Sequence, residues 1–127
     1  MSLSACILVV DDSPTARRTT SSMLVEAGYE VVTADDGDDA LRLYEYHQPD
    51  AVVLDVILPK KNGFQVCRQL KNKQDHLARV LLLTCKTHQS DQEWGLRQGA
   101  DGYLTKPFKA DELLDSLERL LVPTTGG

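Results

Sequence analysis

Four short apolar runs in this chain end in residues able to bind a cation or an oxyanion. Cys6-Ile7-Leu8-Val9-Val10 ends in Asp11-Asp12, and Ala51-Val52-Val53-Leu54 ends in Asp55. Arg79-Val80-Leu81-Leu82-Leu83 ends in Thr84-Cys85, and Asp101-Gly102-Tyr103-Leu104-Thr105 ends in Lys106-Pro107. If those ends meet, three carboxylates, a hydroxyl and an ammonium face one crevice. Clustered carboxylates repel one another and need a cation, and hard oxygen donors suit Mg2+, with Mn2+ as a substitute. An aspartate beside such an ion can act as a nucleophile and form an acyl phosphate. Phosphoryl transfer needs charge neutralised on the phosphoryl oxygens, which a metal on one side and Lys106 on the other would supply, with Thr84 donating a hydrogen bond. Taken singly, each residue has a plainer role. Asp12 suits a cap before Ser13-Pro14, Asp55 suits a turn, and Lys106-Pro107 suits a loop breaker. In the functional reading the Lys106-Pro107 bond is cis and turns the lysine into the crevice. Convergence of all these positions favours the chemistry.

The elements that must position these residues alternate along the chain. Continuous apolar, β-branched runs are the mark of strands buried on both faces. Strands are predicted over Cys6–Val10, Glu30–Ala34, Ala51–Leu54, Arg79–Leu83 and Asp101–Thr105. Ser13-Pro14 opens a helix that runs to about Ala27, with Ala16, Thr20, Met23, Leu24 and Ala27 on one face and Gly28 as its stop. A second helix is predicted over Asp38–His47, with Ala40, Leu41, Leu43 and Tyr44 inward. A third covers Phe64–Lys73, with Phe64, Cys67 and Leu70 inward and Val66 flanking. A weaker fourth covers Ser90–Gln98. The last, Ala110–Leu121, carries a full stripe of leucines. Strand and helix alternate five times, giving a (βα)5 unit of parallel strands with right-handed crossovers and helices on both faces. Such sheets bind ligands at the carboxyl ends of their strands, where the candidate residues lie.

Composition narrows the function classes. The 127 residues are 42% hydrophobic and 26% charged, which suits one globular domain. Fourteen basic against nineteen acidic side chains give a net charge of −5, which argues against nonspecific binding of nucleic acid or an anionic membrane. No apolar run has the length of a membrane span, and the N-terminus lacks the features of a signal peptide. Three cysteines without metal-ligand spacing read as free thiols in a reducing, cytoplasmic setting. The domain is expected over 5–122, with 1–4 as a tail and 123–127 as a tail or the start of a linker.

Over residues 5 to 121 the sequence resembles the receiver (CheY-like) domain of two-component response regulators. The resemblance rests on Ile7-Leu8-Val9-Val10-Asp11-Asp12-Ser13, Leu54-Asp55-Val56-Ile57-Leu58-Pro59 with Gly63, Leu83-Thr84, and Tyr103-Leu104-Thr105-Lys106-Pro107-Phe108. It implies a flavodoxin-like, doubly wound sheet of order 2-1-3-4-5. It implies Asp55 as phosphoacceptor, and Mg2+ bound directly by Asp12, Asp55 and the Ile57 carbonyl, with Asp11 acting through water. Lys106 would contact the phosphoryl group, Thr84 would sense it, and Tyr103 would be the switch aromatic. The donor would be a sensor histidine kinase or a phosphotransfer protein. The output would be a contact with a downstream protein through the 90–98 helix, the fifth strand and the last helix. Such a domain is mainly a switch that catalyses its own phosphorylation and slow dephosphorylation. Segments 63–71 and 94–100 are similar to regulators of type IV pilus twitching motility.

Departures from the family pattern are small. Leu58 replaces a commoner Met, and Cys85 replaces a smaller residue and is expected to narrow the approach to the phosphate. Ile57 gives an attacking water no hydrogen-bond partner, so slow hydrolysis is expected. The leading reading is a stand-alone regulator, with a domain of a hybrid kinase or multidomain regulator as the alternative. An Asp-nucleophile phosphatase would need a second aspartate at Ile57. A flavodoxin-like FMN carrier would need a phosphate loop where Asp11-Asp12 would repel it.

Overall fold

The computed structural model describes residues 5–72, 78–85 and 99–121, and the helix expected over 90–98 lies outside them. Five strands, β1 (Cys6–Val10), β2 (Glu30–Ala34), β3 (Ala51–Asp55), β4 (Arg79–Cys85) and β5 (Gly102–Lys106), form one parallel sheet of order β2-β1-β3-β4-β5. The described helices are α1 (Pro14–Glu26), α2 (Gly37–His47), α3 (Gly63–Lys71) and α4 (Ala110–Leu121). The expected architecture and strand order are both present.

Period-two alternation divides each central strand between two cores. Leu8, Val10, Val52, Leu54, Val80 and Leu82 pack against Ala40 and Tyr44 of α2 and Val66, Cys67 and Leu70 of α3. Ile7, Val9, Ala51, Val53, Leu81 and Leu83 pack against Leu24 of α1 and Leu113 and Leu117 of α4. Both faces exclude water, which is why these strands are apolar without interruption.

Local chemistry sets the element ends. Ser13 Oγ caps α1 by accepting from the Ala16 N–H, with Pro14 in the first turn. Asp36 caps α2, so that helix starts at Gly37, one residue before the expected Asp38. Asn62 and Gln65 form a reciprocal capping box, so α3 starts at Gly63 and ends at Lys71. Val66 belongs to the core of α3 while Phe64 is only half-buried, because the 66-67-70 face meets the sheet. Ala27, expected inward, is the exposed C-cap of α1. The ladder also runs further than the apolar residues do. Asp55 pairs with Leu83, Thr84 with Thr105 and Cys85 with Lys106, so these candidates sit in register positions of the sheet.

Candidate functional site

The alternation that builds the two cores also decides from which side each polar side chain enters the site. Asp11 continues the phase of Ile7 and Val9, Asp55 that of Ala51 and Val53, and Lys106 that of Leu104, all on the α1–α4 side. Thr84 continues the phase of Val80 and Leu82 and comes from the α2–α3 side. The two approaches meet where β1, β3 and β4 end.

There Lys106 Nζ lies 2.6 Å from Asp55 Oδ2 and 3.2 Å from Asp11 Oδ2. The Lys106-Pro107 peptide is cis, as the functional reading required. The remaining oxygens are held by backbone: Asp55 Oδ1 accepts from the Ile57 N–H at 3.0 Å, and Asp11 Oδ1 from the Ser13 N–H at 3.0 Å. Asp11 is 1% exposed and Asp55 8%. Burial pushes the Asp55 carboxyl above its ordinary range; the Lys106 and Ile57 hydrogen bonds only partly offset this, and the neighbouring Asp11 adds to it. Burial opposes the charge on Lys106, but hydrogen bonds and attraction from Asp55 and Asp11 outweigh it and raise the ammonium above its usual value.

Thr84 is 2% exposed, and its hydroxyl has no hydrogen-bond partner among the described residues. Thr84 sits near the end of β4, the strand paired with β3, which ends in Asp55. Asp12, in the opposite phase to Asp11, is exposed at the rim. Ile57 and Tyr103 are also surface residues, at 58% and 42% exposure. The structure thus joins Asp11, Asp55 and Lys106 directly and leaves Asp12 outside their hydrogen-bond network.

No three acidic, His or Cys side chains among the described residues form a closed metal cluster. Mg2+ does not need one. It is commonly held by one or two carboxylates and keeps several waters. Two convergent carboxylates, now bridged by the Lys106 ammonium, and a third at the rim supply the hard oxygen donors that suit that ion.

Two further residues shape the site. A Cβ on Gly63 would lie 2.4 Å from the Asp55 carbonyl oxygen, so only glycine lets α3 start this close to β3. Arg17 Nη1 donates to the Asp11 carbonyl oxygen at 2.8 Å. In sequence, Gly63 stands out only as part of the 54–63 motif, and Arg17 only by its place one turn after Ser13. Cys85 lies on the α1 side, lining an open cleft of about 520 Å³ with Lys106, Pro107, Phe108 and Met23. Its side chain therefore leaves the sheet on the face opposite to Thr84.

The model of the response regulator receiver domain matches residues 7–118. Over 118 residues the chain is 41% identical to Protein PilH of Pseudomonas aeruginosa, spanning 92% of this chain and 98% of that protein. It is 46% identical over 119 residues to Response regulator MprA of Mycolicibacterium vanbaalenii, spanning 94% of this chain but 51% of that regulator. The chemotaxis protein CheY4 of Vibrio cholerae matches with a TM-score of 0.88 at 36% identity, over 94% of this chain and 100% of that structure.

Proposed function

The chain belongs to the response regulator receiver family, and from that membership we propose that Asp55 is its phosphoacceptor. The observation that carries this assignment is the Lys106 ammonium held between Asp55 and Asp11. Receiver domains accept phosphoryl groups from histidine kinases. Here a carboxylate oxygen of Asp55 forms the new P–O bond as the bond from phosphorus to the donor's leaving group breaks, giving a mixed anhydride. Lys106 is long enough to stay with the phosphoryl oxygens while releasing one carboxylate. The Thr84 hydroxyl donates to a phosphoryl oxygen in this reading.

Asp12, Asp55 and the Ile57 carbonyl would hold Mg2+ in this reading, with Asp11 contributing through water. Once bound, the ion would neutralise the negative charge shared by carboxylate and phosphoryl oxygens. Movement of Thr84 toward the phosphoryl group opens space into which the exposed Tyr103 turns, shifting a pre-existing equilibrium of the β5–α4 face. That face, with the segment over 90–98, is the surface offered to a downstream protein.

The phosphodonor is a sensor histidine kinase or phosphotransfer protein, and the setting is the cytoplasm. No described helix is long and apolar enough to cross a membrane. The match across nearly all of PilH supports a stand-alone regulator of the chemotaxis or twitching type. An exposed Ile57 where a phosphatase would hold a second acid speaks against the hydrolase alternative.

The test is incubation with Mg2+ and acetyl phosphate, followed by intact mass, beside Asp55→Asn. A gain of one phosphoryl group in the wild type and none in the variant is expected. Uptake by a folded Asp55→Asn, or none by a folded wild type that binds Mg2+, overturns the assignment.

A further inference from the structure

Asp11 and Asp12 are consecutive, yet one is buried in a network and the other is exposed, with no hydrogen bond or ion pair of its own among the described residues. Something else must set where the Asp12 carboxylate stands. The bond joining the two residues is the Asp11–Asp12 peptide, and its carbonyl accepts from Arg17 Nη1 at 2.8 Å. The other atoms of Asp11 are tied as well: its N–H donates to the Ala34 carbonyl, Oδ1 accepts from Ser13, and Oδ2 meets Lys106. Arg17 is itself anchored by its N–H to the Ser13 carbonyl at 2.9 Å, and its half-buried side chain folds back over the loop it follows.

We propose that Arg17 is a positioning residue for the divalent-cation site: by holding the Asp11 carbonyl it fixes the Asp11–Asp12 peptide plane and so aims Asp12. The inference rests on the reading of Asp12 as a ligand. It also runs against the simplest electrostatic expectation. A guanidinium near a cation site repels the cation, so deleting Arg17 would by charge alone tighten Mg2+ binding. Positioning has the opposite sign, because groups that orient metal ligands typically contribute a factor of about ten or more in affinity.

That opposition defines the experiment. Mg2+ is titrated calorimetrically into wild type, Arg17→Met, Arg17→Gln and Arg17→Lys, with melting temperatures measured in chelator. Arg17→Met and Arg17→Gln, both uncharged, are expected to bind Mg2+ about tenfold more weakly. Arg17→Lys keeps a long donor and is expected near wild type. Mg2+ affinity that is unchanged or tighter in either folded neutral variant overturns the proposal, whatever happens to the melting temperature. A second readout needs no metal: exchange of the Ser13 amide, which bonds Asp11 Oδ1. It should speed about tenfold in Arg17→Met while amides of β3 stay protected, and unchanged Ser13 exchange also overturns the proposal. Should wild type show no Mg2+ uptake that Asp55→Asn removes, the metal reading fails separately, and Ser13 exchange still decides whether Arg17 holds the loop.

Discussion

Replacing Lys106 by methionine removes the ammonium 2.6 Å from Asp55 Oδ2 and 3.2 Å from Asp11 Oδ2 but keeps an unbranched stem. At an effective dielectric near 20, the two attractions are roughly 6 and 5 kcal/mol before desolvation. Burying the charges cancels much of this. Breaking a fully buried pair by removing one partner costs roughly 3–5 kcal/mol. The Lys106 side chain is 28% exposed, so solvent screens it and a lower loss of about 2–3 kcal/mol is expected. For 127 residues, an unfolding entropy of about 2.1 cal/mol/K per residue converts this to a fall in Tm of roughly 7–11 °C in chelator. With Mg2+ the sign of the effect changes. The divalent ion can take over neutralisation of two carboxylates that no longer bind an ammonium. Lys106→Met should therefore bind Mg2+ about tenfold tighter, and at saturating Mg2+ most of the Tm deficit should close. Calorimetric melting in chelator and in Mg2+, with a Mg2+ titration, measures both quantities. An equal deficit in the two buffers, or weaker Mg2+ binding by the variant, would refute the view that ammonium and metal share these carboxylates.

Thr84→Val removes a buried hydroxyl that has no partner among the described residues. It should stabilise the metal-free protein by about 1 kcal/mol in denaturant unfolding, while leaving phosphorylation of Asp55 possible; a loss of stability would show that the hydroxyl is already satisfied. Ile57, 58% exposed beside Asp55, cannot orient an attacking water. Isolated phosphoprotein should keep its radiolabel, and Ile57→Asn should lose it several-fold faster; rapid loss from wild type contradicts the idea. Because burial raises the Asp55 carboxyl, the folded state holds that proton more tightly than the unfolded chain does. Stability attached to it is present below the ordinary carboxylate pKa and lost as pH rises through the folded value. In chelator, the stability of Asp55→Asn relative to wild type should therefore grow as pH rises through that window. A gap that shrinks there has the wrong sign.

The strands were legible because continuous apolar runs have few other uses in a chain of this size, and the candidate acids and lysine were legible because they interrupt those runs. The phase of each residue was harder to see. Asp11 and Asp12 look alike in sequence, but the period of two sends one into the network with Lys106 and the other to the rim. The same period places Thr84 and Cys85 on opposite faces, so the thiol lines the α1 cleft, away from the side by which Thr84 enters. That cleft is also lined by Lys106, so Cys85 stands on the side from which Asp11, Asp55 and Lys106 enter the site.

What lay beyond the sequence has a common physical cause: the partner is backbone. Arg17 acts on a carbonyl that every residue carries, so no residue type opposite it could reveal the contact. Gly63 is required by a 2.4 Å approach to another carbonyl, that of Asp55. Asp11 and Asp55 are each oriented by an N–H two residues downstream, from Ser13 and Ile57. Side-chain types therefore identify which groups meet at the ends of the strands. Main-chain donors and acceptors, set by how the β1–α1 and β3–α3 connections turn, decide how those groups are aimed. A variant that alters the turn while leaving every acidic residue in place should thus disturb the chemistry as surely as one that removes an acid, and Arg17 is where that distinction is most directly exposed to measurement.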